Sequence, residues 1–457
     1  MDALKVQILP DDGSSSSPST YKPKSKLTKM SILLIVASVS VTLGLLFVSN
    51  SNLVLSSGTK SLRYSVIIDA GSSGTRVHVF GYRTESGKPV FDFGEENYAS
   101  LKLSPGLSTY ADNPEGASES VAKLVEFAKT RVPKRMLKKS DIRLMATAGM
   151  RLLEVAVQEQ ILEVTRRVLR SSGFRFRDKW ASVISGTDEG VYAWVVANHG
   201  LGSLGGDPLQ TTGIVELGGA SVQATFVSSE PVPPEFSSTI SYGKASYTIY
   251  SHSFLDFGQD VAEDALLESL KNSGNETVTD PCTPKGYIYE TNLKVEAAGD
   301  FSKCRSATLA MLQEGKEKCT YNHCSIGSTF TPLLQGSFLA TENFYHTSNF
   351  FGLEEKDWLS EMIPAGKRFC GEEWSKLKEK YPTTKDKYLH RYCFSSAYII
   401  AMLHDSFGVP LDDERIKFAS TVGEDNIPLD WALGAFILNT VTPTPKYSGI
   451  SRKFLGF

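Results

Sequence analysis

Two kinds of residue cluster are missing from this sequence of 457 residues. Its seven histidines are scattered, and they form no group with cysteine at the spacing of a zinc site. The 48 basic residues do not outnumber the 51 acidic ones, so the chain lacks the basic excess that nucleic-acid binding requires. We therefore expect neither a buried transition-metal site nor a nucleic-acid partner.

Two common hydrolase motifs are also absent. A Walker A loop needs Gly-Lys followed by Ser or Thr, and the residues that follow the four Gly-Lys pairs are Pro89, Ala245, Glu317 and Arg368. A serine-hydrolase elbow needs G-x-S-x-G, which neither Gly71-Ser72-Ser73 nor Gly219-Ala220-Ser221 completes. If the chain binds phosphate, it must use another kind of loop.

Charge is missing from residues 30–59, and this gap predicts a membrane anchor. Its first part, 30–48, is apolar and long enough to span a bilayer as a helix. Lysines at 22, 24, 26 and 29 precede it and should stay in the cytosol. A cleaved signal peptide is the alternative, but the 29-residue polar leader is long for one. We expect a single-pass type II membrane protein with a cytosolic tail (1–29), a signal-anchor helix (30–50) and a stalk (51–63).

Cysteine is missing from the first half of the chain. An even number in the second half predicts disulfides rather than metal-binding thiols; the six are Cys282, Cys304, Cys319, Cys324, Cys370 and Cys393. Disulfides persist in oxidising compartments, and the sequon Asn275-Glu276-Thr277 predicts a glycan on Asn275. We expect the folded region to lie in the endomembrane lumen, of the Golgi or of vesicles, or outside the cell.

After Tyr64 the chain has the pattern of an α/β protein. Short strand-like runs alternate with helical patterns, and the length suits two lobes. Lobe I is predicted at 64–184, completed by 421–445, lobe II at 185–420, and a C-terminal tail at 446–457. The predicted helices are 115–131, 150–171, 190–198, 259–272 and 391–406. The stretch 273–345 is predicted to be rich in loops.

One sequence pattern occurs twice. The segment 66–75 (VIIDAGSSGT) contains an apolar run, a carboxylate and a Gly/Ser turn, and an alternating run follows it. The segment 214–221 (IVELGGAS) has the same order, again with an alternating run after it. Each predicts a β-hairpin with a tight turn. Two such hairpins predict two related lobes that face one cleft.

The two turns suit phosphate binding. Glycine lets backbone N–H groups approach a ligand closely, and serine and threonine add hydroxyl donors, so such turns form anion-binding nests. The carboxylates of Asp69 and Glu216 cannot contact phosphate directly, but they can hold a hydrated Mg²⁺ or Ca²⁺ beside it. A single turn of this kind is more often a plain hairpin, whereas a matched pair can hold one phosphate chain from both sides.

Two strand–turn–helix patterns contain further candidates. Thr147 follows the strand-like run 141–146, where α/β proteins bind ligands, although a helix-capping threonine would also fit there. Asp188 and Glu189 lie near the start of the helix predicted at 190–198. They can simply offset the helix dipole, or Glu189 can act as a general base that takes a proton from an attacking water.

Five segments, in this order, resemble the apyrase-conserved regions of the nucleoside triphosphate diphosphohydrolase family: 67–75, 146–153, 185–194, 214–223 and 430–435. The resemblance covers residues 64–440 and is to the plant-type apyrases of the GDA1/CD39 group. It implies a two-lobed, actin/hexokinase-like (RNase H-like) fold with a central cleft. It also implies a hydrolase that removes terminal phosphates from nucleoside tri- and diphosphates with Ca²⁺ or Mg²⁺.

The resemblance implies roles for individual residues as well. Glu189 would be the general base, Ser221 and Gln223 would position the water, and Thr147 would lie near the terminal phosphate. The first phosphate loop would comprise Asp69, Ala70, Gly71, Ser72, Ser73, Gly74, Thr75 and Arg76, and the second Glu216, Leu217, Gly218, Gly219, Ala220, Ser221 and Gln223. Asp69 and Glu216 would hold the cation through water. The commoner family residue at 216 is Asp, which is one methylene shorter, so the preferred cation stays open.

Two further features follow from the resemblance alone. The implied disulfides are Cys282–Cys304, Cys319–Cys324 and Cys370–Cys393. Tyr345 and His346 fall where the family stacks an aromatic ring on the nucleobase, although an ordinary aromatic core cluster is the alternative there.

The predicted function is therefore that of an apyrase. The alternatives are a lumenal nucleoside diphosphatase and a nucleotide-binding receptor on the same fold, which would need no general base such as Glu189. A lumenal glycosyltransferase, suggested by the anchor alone, would need a D-x-D-type metal site, and Asp412-Asp413-Glu414 is better explained as a helix start. The sequence leaves the substrate preference and the oligomeric state open.

Overall fold

The fold is that of a computed structural model, which describes residues 62–441 apart from 86–87, 95, 273–277, 290–294, 355 and 357. All of these residues belong to one unit of the chain, Ser61–Phe457. The predicted cytosolic tail, anchor helix and C-terminal tail, all but the last two residues of the stalk, and Asn275 lie outside the described residues. Within the described part of the chain, no helix combines the length and the apolar character needed to cross a membrane.

The first mixed sheet is built around a buried central strand. Its strands are β1 (Arg63–Ala70), β2 (Thr75–Glu85), β3 (Lys88–Phe91), β4 (Tyr98–Leu103), β5 (Asp141–Ala146) and β6 (Ala181–Val183). Their order is β3-β2-β1-β5-β6, and β4 pairs with β2. The run Val66–Ile68 in β1 is fully buried, as expected for a strand that is covered on both faces.

The second sheet begins at residue 213. The strands of the rest of the chain are β7 (Gly213–Leu217), β8 (Ser221–Phe226), β9 (Ser237–Tyr242), β10 (Ala245–Leu255), β11 (Val278–Asp280), β12 (Val295–Ala297), β13 (Cys324–Ile326), β14 (Thr329–Phe330), β15 (Phe338–Glu342), β16 (Ile416–Phe418), β17 (Thr421–Val422) and β18 (Ile427–Pro428). The second sheet has the order β16-β15-β7-β8-β10-β9, and the other strands form short two-stranded pairs.

The two sheets share a local topology. Strand β1 pairs antiparallel with β2 and parallel with β5. Strand β7 likewise pairs antiparallel with β8 and parallel with β15. Both predicted hairpins are thus confirmed. In each of them the Gly-containing turn lies at the carboxyl end of a central strand, the end at which α/β sheets bind ligands.

Helices flank both sheets. They are α1 (Ala117–Arg131), α2 (Ala148–Arg151), α3 (Val155–Ser171), α4 (Gly186–Gly200), α5 (Gln259–Lys271), α6 (Phe301–Leu312), α7 (Asn343–Phe350), α8 (Trp358–Gly371), α9 (Trp374–Lys380), α10 (Asp386–Leu389), α11 (Arg391–Ile400) and α12 (Trp431–Val441). Most residues of α4 are buried, and a helix that is apolar on most sides belongs in an interior.

Helices α4 and α12 pack closely in the core that joins the two sheets. That core contains Ile67 of β1, Ile214 of β7 and Trp194 of α4. A Cβ atom on Gly434 of α12 would lie 1.8 Å from the carbonyl oxygen of Tyr192. Only glycine therefore permits this approach of the two helices. The start of α4, which carries Glu189, is fixed in position by this packing.

The α/β class is confirmed, but several predicted elements are wrong at their bounds. The helix predicted at 150–171 is divided between α2 and α3 at residues 152–154. Helix α4 begins at Gly186 rather than 190, because the Ser185 hydroxyl caps it by accepting a hydrogen bond from the Asp188 N–H. The predicted loop region 273–345 contains α6 and β15, and the helix predicted at 391–406 becomes a π-helix at Ala401–Ser406.

The disulfide pairing implied by the resemblance is confirmed. Cys282 is bonded to Cys304, Cys319 to Cys324, and Cys370 to Cys393. The predicted lobe borders near 185 and 420 stay predictions. They fall between the last strand of the first sheet and the first strand of the second, and between β16 and β17.

Candidate active site

One cleft lies between the turns of the two hairpins. It encloses about 720 Å³ of empty space, open solvent included. The predicted site residues that line it are Asp69, Gly71, Ser72, Ser73, Gly74, Arg76, Thr147, Glu189, Glu216, Gly218, Gly219, Ala220, Ser221 and Gln223. Predicted site residues that lie up to 154 positions apart in the sequence thus share one cavity.

The other predicted site residues lie elsewhere. Ala70, Thr75 and Leu217 are buried in their strands and are not among the residues that line the cleft. Tyr345 packs against the core of the second sheet, with its ring 6.1 Å from that of Phe418. His346 is exposed on α7. The nucleobase role of Tyr345 and His346 therefore stays a prediction.

The second turn is held by the first residues of α5. The N–H groups of Gln259 and Asp260 donate to the carbonyl oxygens of Gly218 and Gly219, at 2.8 and 2.9 Å. The turn also faces the first turn closely, because a Cβ atom on Gly219 would lie 2.6 Å from the Ser72 hydroxyl oxygen. Both turns therefore border the same narrow space.

Asp69 and Glu216 occupy equivalent places in the two hairpins. The Asp69 Oδ1 and Glu216 Oε2 atoms are buried and have no hydrogen-bond partner among the described residues. Burial raises the pKa of Asp69 well above its usual value, and the negative charges of Asp430 and Glu189 add to the rise. Burial likewise raises the pKa of Glu216, with Glu189 and Glu342 adding to it. Burial and like charge therefore disfavour the ionised form of both carboxyl groups, and the positive charge of Arg76 only partly offsets this for Asp69.

A hydrated cation fits these two carboxylates. Within the described part of the chain, no three His, Cys, Asp or Glu side chains lie close enough to hold a metal ion directly. A cation between Asp69 and Glu216 would therefore keep water in most of its coordination positions, as Mg²⁺ commonly does beside phosphates.

Glu189 lies at the centre of a hydrogen-bonded cluster. The Nε2 atom of Gln223 donates to Glu189 Oε2 at 3.2 Å and to the Ser221 hydroxyl oxygen at 2.7 Å. The Nη2 atom of Arg151 lies 2.9 Å from Glu189 Oε2 and 3.3 Å from the Ser221 hydroxyl oxygen. The carboxylate is thus oriented beside the two residues that are predicted to position water.

The two acids of the first turn of α4 have different surroundings. The Asp188 carboxylate accepts a hydrogen bond of 2.8 Å from the Ser185 hydroxyl and takes part in capping the helix. The Glu189 side chain points into the cleft. The helix-start interpretation therefore fits Asp188, whereas the surroundings of Glu189 suit a catalytic group.

Burial and neighbouring charges together set the pKa of Glu189. Burial raises it, the charge and hydrogen bond of Arg151 lower it, and the negative charge of Glu342 raises it further, so that the net change is upward. A carboxylate with a raised pKa binds a proton more strongly, so it is a better general base at a pH where it is still ionised.

The capping interpretation of Thr147 is wrong. The residue stands just before α2, but its side chain makes no capping hydrogen bond. Its N–H donates to the Ala70 carbonyl oxygen at 3.1 Å. The side chain is nearly buried and lines the cleft, where a hydroxyl can meet a ligand.

The sequence reasoning gave no role to several residues that line the cleft: Lys102, Ala148, Glu342, Asp430 and Trp431. Arg76 donates to Asp430 Oδ2 at 3.0 Å, and Lys102 donates to the Ser73 hydroxyl oxygen at 3.3 Å. Glu342 has a φ of +57°, a backbone conformation that is costly for a residue other than glycine and is often found at functional sites. Of these five, only Ala148, Asp430 and Trp431 lie in segments that the resemblance had included.

Comparisons with known proteins find similarity to nucleoside phosphatases over most of the chain. The GDA1/CD39 (nucleoside phosphatase) family pattern matches residues 56–450. The "Probable apyrase 5" of Arabidopsis thaliana is 76% identical, with 100% of both chains covered. The "Ectonucleoside triphosphate diphosphohydrolase 1" of Mus musculus is 30% identical over 86% of this chain and 83% of its own. The solved structure of a nucleoside triphosphate hydrolase from Neospora caninum is similar in fold, with a TM-score of 0.65 and 16% identity over 88% of this chain and 97% of that one.

Proposed function

Because the chain belongs to the GDA1/CD39 (nucleoside phosphatase) family, we propose that it is an apyrase. It hydrolyses the terminal phosphoanhydride bonds of nucleoside tri- and diphosphates and releases phosphate and the nucleoside monophosphate. One observation carries the proposal: a largely buried carboxylate, Glu189, is hydrogen-bonded to Gln223 beside the Ser221 hydroxyl, between two Gly-rich turns.

In this proposal the two turns hold the phosphates and Glu189 activates water. Ser221 and Gln223 hold a water molecule, and Glu189 accepts its proton as the oxygen attacks the terminal phosphorus. The bond to the bridging oxygen breaks, and its electron pair stays with the leaving nucleotide. The Thr147 hydroxyl donates to the terminal phosphate. Arg76 and Lys102 add positive charge at the cleft, where phosphate charge must be offset.

We propose that Asp69 and Glu216 hold a divalent cation, Ca²⁺ or Mg²⁺, through its water ligands. When bound, the cation offsets the negative charge of the phosphate oxygens. The unpartnered carboxylate oxygens of both residues support this assignment. Family membership supports dependence on a divalent cation, and the choice between the two ions is part of the proposal.

We also propose a two-lobed, actin/hexokinase-like arrangement in a type II membrane protein. Lobe I would be 64–184 with 421–445, and lobe II 185–420, because the hairpin with its parallel neighbour occurs once in each part. The three disulfides support an oxidising compartment for the catalytic region. The uncharged run 30–59 supports the anchor.

A phosphate-release assay tests the function. Purified protein is incubated with ATP, ADP, GDP and UDP in the presence of Ca²⁺ or Mg²⁺, with AMP as the control. We expect release from the tri- and diphosphates and none from AMP. Release from diphosphates alone would favour a lumenal nucleoside diphosphatase. Binding of nucleotide without any release would contradict the hydrolase and favour a receptor.

A further inference from the structure

Arg151, at the end of α2, directs its guanidinium group at the candidate catalytic residues. Besides its contacts with Glu189 and Ser221, its Nη1 atom donates to the carbonyl oxygen of Ile184 at 3.3 Å. A single side chain thus contacts the segment after β6, the first turn of α4 and the start of β8. Sequence reasoning assigned Arg151 no role of its own, although the residue lies in the segment 146–153 that carries part of the resemblance.

The Arg151–Glu189 pair is shielded from solvent. The side chains of Arg151 and Glu189 are only 14% and 12% exposed, so screening by water and salt is weaker than for a surface ion pair. The guanidinium is planar and carries several N–H donors in a fixed arrangement. It can therefore hold two acceptors at one set distance from each other, which a lysine ammonium cannot do with the same precision.

The position of α2 is itself fixed by the first turn. A Cβ atom on Gly149 would lie 2.8 Å from the Cα atom of Ser72, so α2 and the first phosphate loop touch backbone to backbone. Arg151 therefore links the loop predicted to hold phosphate with the residues predicted to hold water.

Resting on the proposed function, we propose that Arg151 is a positioning residue that sets the Glu189 carboxylate and the Ser221 hydroxyl at one separation. Arg151 and Gln223 donate to the same carboxylate oxygen, Oε2. The proton of the attacking water then passes to Oε1 of Glu189. Arg151 itself does not contact the substrate.

Arg151 also counters the negative charge around Glu189. The charged groups that face Glu189 are Asp69 on β1, Glu216 on β7 and Glu342 at the end of β15, and Arg151 is the cation in contact with it. Because Arg151 lowers the pKa of Glu189, its removal raises that pKa further. The rate of a reaction that needs the ionised base rises as the pH rises through this pKa. Removal of Arg151 should therefore move the acid limb of the pH–rate profile to higher pH.

The test compares Arg151→Met and Arg151→Lys with the wild-type full-length chain. We measure kcat and KM for nucleotide hydrolysis over a range of pH. For Arg151→Met we expect kcat at neutral pH to fall by about 10²-fold, the scale of a misplaced catalytic group. KM should change little, and the acid limb should move to higher pH. Arg151→Lys keeps the charge, so its acid limb should stay near that of the wild type, with an intermediate kcat.

Arg305→Met is the matched control. Arg305 is 28% exposed and forms a two-fold ion pair with Asp405, and neither residue is among those that line the cleft. This variant should keep the wild-type kcat and pH profile. Thermal unfolding and nucleotide binding are measured for every variant, to separate a loss of folding from a loss of positioning.

Two results would overturn the proposal for Arg151. One is a wild-type kcat in folded Arg151→Met. The other is an equal loss in the Met and Lys variants at every pH, which would indicate damage to local structure only. A wild-type protein that releases no phosphate would instead overturn the proposed function, so the two failures are distinguishable.

Discussion

At the scale of single residues, the cleft contains an excess of negative charge. Asp69, Glu189, Glu216, Glu342 and Asp430 line it together with the cationic side chains of Arg76 and Lys102. Binding of an anionic nucleotide beside so many carboxylates costs electrostatic free energy unless a cation binds with the substrate. The individual roles of the acids should therefore be separable by mutation.

Glu189 should be needed for turnover and not for binding. Glu189→Gln keeps the size of the side chain but cannot accept the proton, so we expect turnover to fall by roughly 10²–10⁴-fold. Nucleotide affinity, measured by calorimetry with the cation present, should change little. Asp188→Asn is the control, because that neighbouring acid takes part in the helix cap. Near-normal turnover in folded Glu189→Gln would refute the assignment of the base.

Glu216 should influence which cation supports activity. A chelator should abolish phosphate release, and added Ca²⁺ or Mg²⁺ should restore it. Glu216→Asp withdraws the carboxylate by one methylene, so the ratio of the Ca²⁺-supported to the Mg²⁺-supported rate should change while activity remains. Glu126→Asp, on the exposed face of α1, should leave the ratio unchanged. Equal rates with chelator and with metal would rule out the cation altogether.

At the scale of elements, each turn depends on close backbone packing behind it. Gly258 precedes α5 and supports the second turn, where a Cβ atom on Gly258 would lie 2.2 Å from the Ser221 backbone nitrogen and 2.3 Å from that of Ala220. The contacting atoms are backbone atoms that cannot rotate away, so any side chain at position 258 displaces the turn itself.

Gly258→Ala should therefore impair catalysis from outside the cleft. The displaced turn moves the Ser221 hydroxyl and the phosphate-binding amides, and we expect kcat/KM to fall by at least about 10-fold. Overpacking should also lower the free energy of unfolding by about 1–3 kcal/mol. Gly371→Ala is the control, since a Cβ atom there meets no atom within 4 Å. Unchanged kinetics in Gly258→Ala would show that the turn tolerates movement.

At the scale of the whole molecule, the disulfides and the charge pattern both favour one membrane topology, with the N-terminus in the cytosol and the catalytic region on the other side. The three disulfides lie within residues 282–393, and the sequon at Asn275 lies close to them in sequence. The lysines that precede the apolar run 30–48 favour a cytosolic N-terminus.

We therefore predict an uncleaved anchor with a lumenal catalytic region. In intact microsomes the C-terminal part should resist protease, and glycosidase should shift its mobility, whereas Asn275→Gln should abolish that shift. Detergent should make the protected part accessible. A mature N-terminus near residue 50, found by sequencing, would show cleavage of a signal peptide and contradict the anchor.

Local patterns were sufficient for the parts of the fold and site that depend on neighbours in sequence. The two hairpins, the strand before Thr147 and the place of Glu189 near a helix start depend on hydrophobic period and turn residues, and all appear in the structure. The disulfide pairing and the residue roles came from the family resemblance, because six cysteines allow many pairings on their own.

Long-range packing decided the rest. Contacts between elements far apart in the chain bring Arg151 to Glu189 and Ser221. Such contacts also give Asp188 and Glu189 different surroundings and place Lys102 and Glu342 in the cleft. Side-chain direction at such contacts is set by the packing of helices and sheets, and no local periodicity encodes it. The sequence alone thus determined the two hairpins and the family motifs, and only the tertiary structure decided which charged groups meet at Glu189.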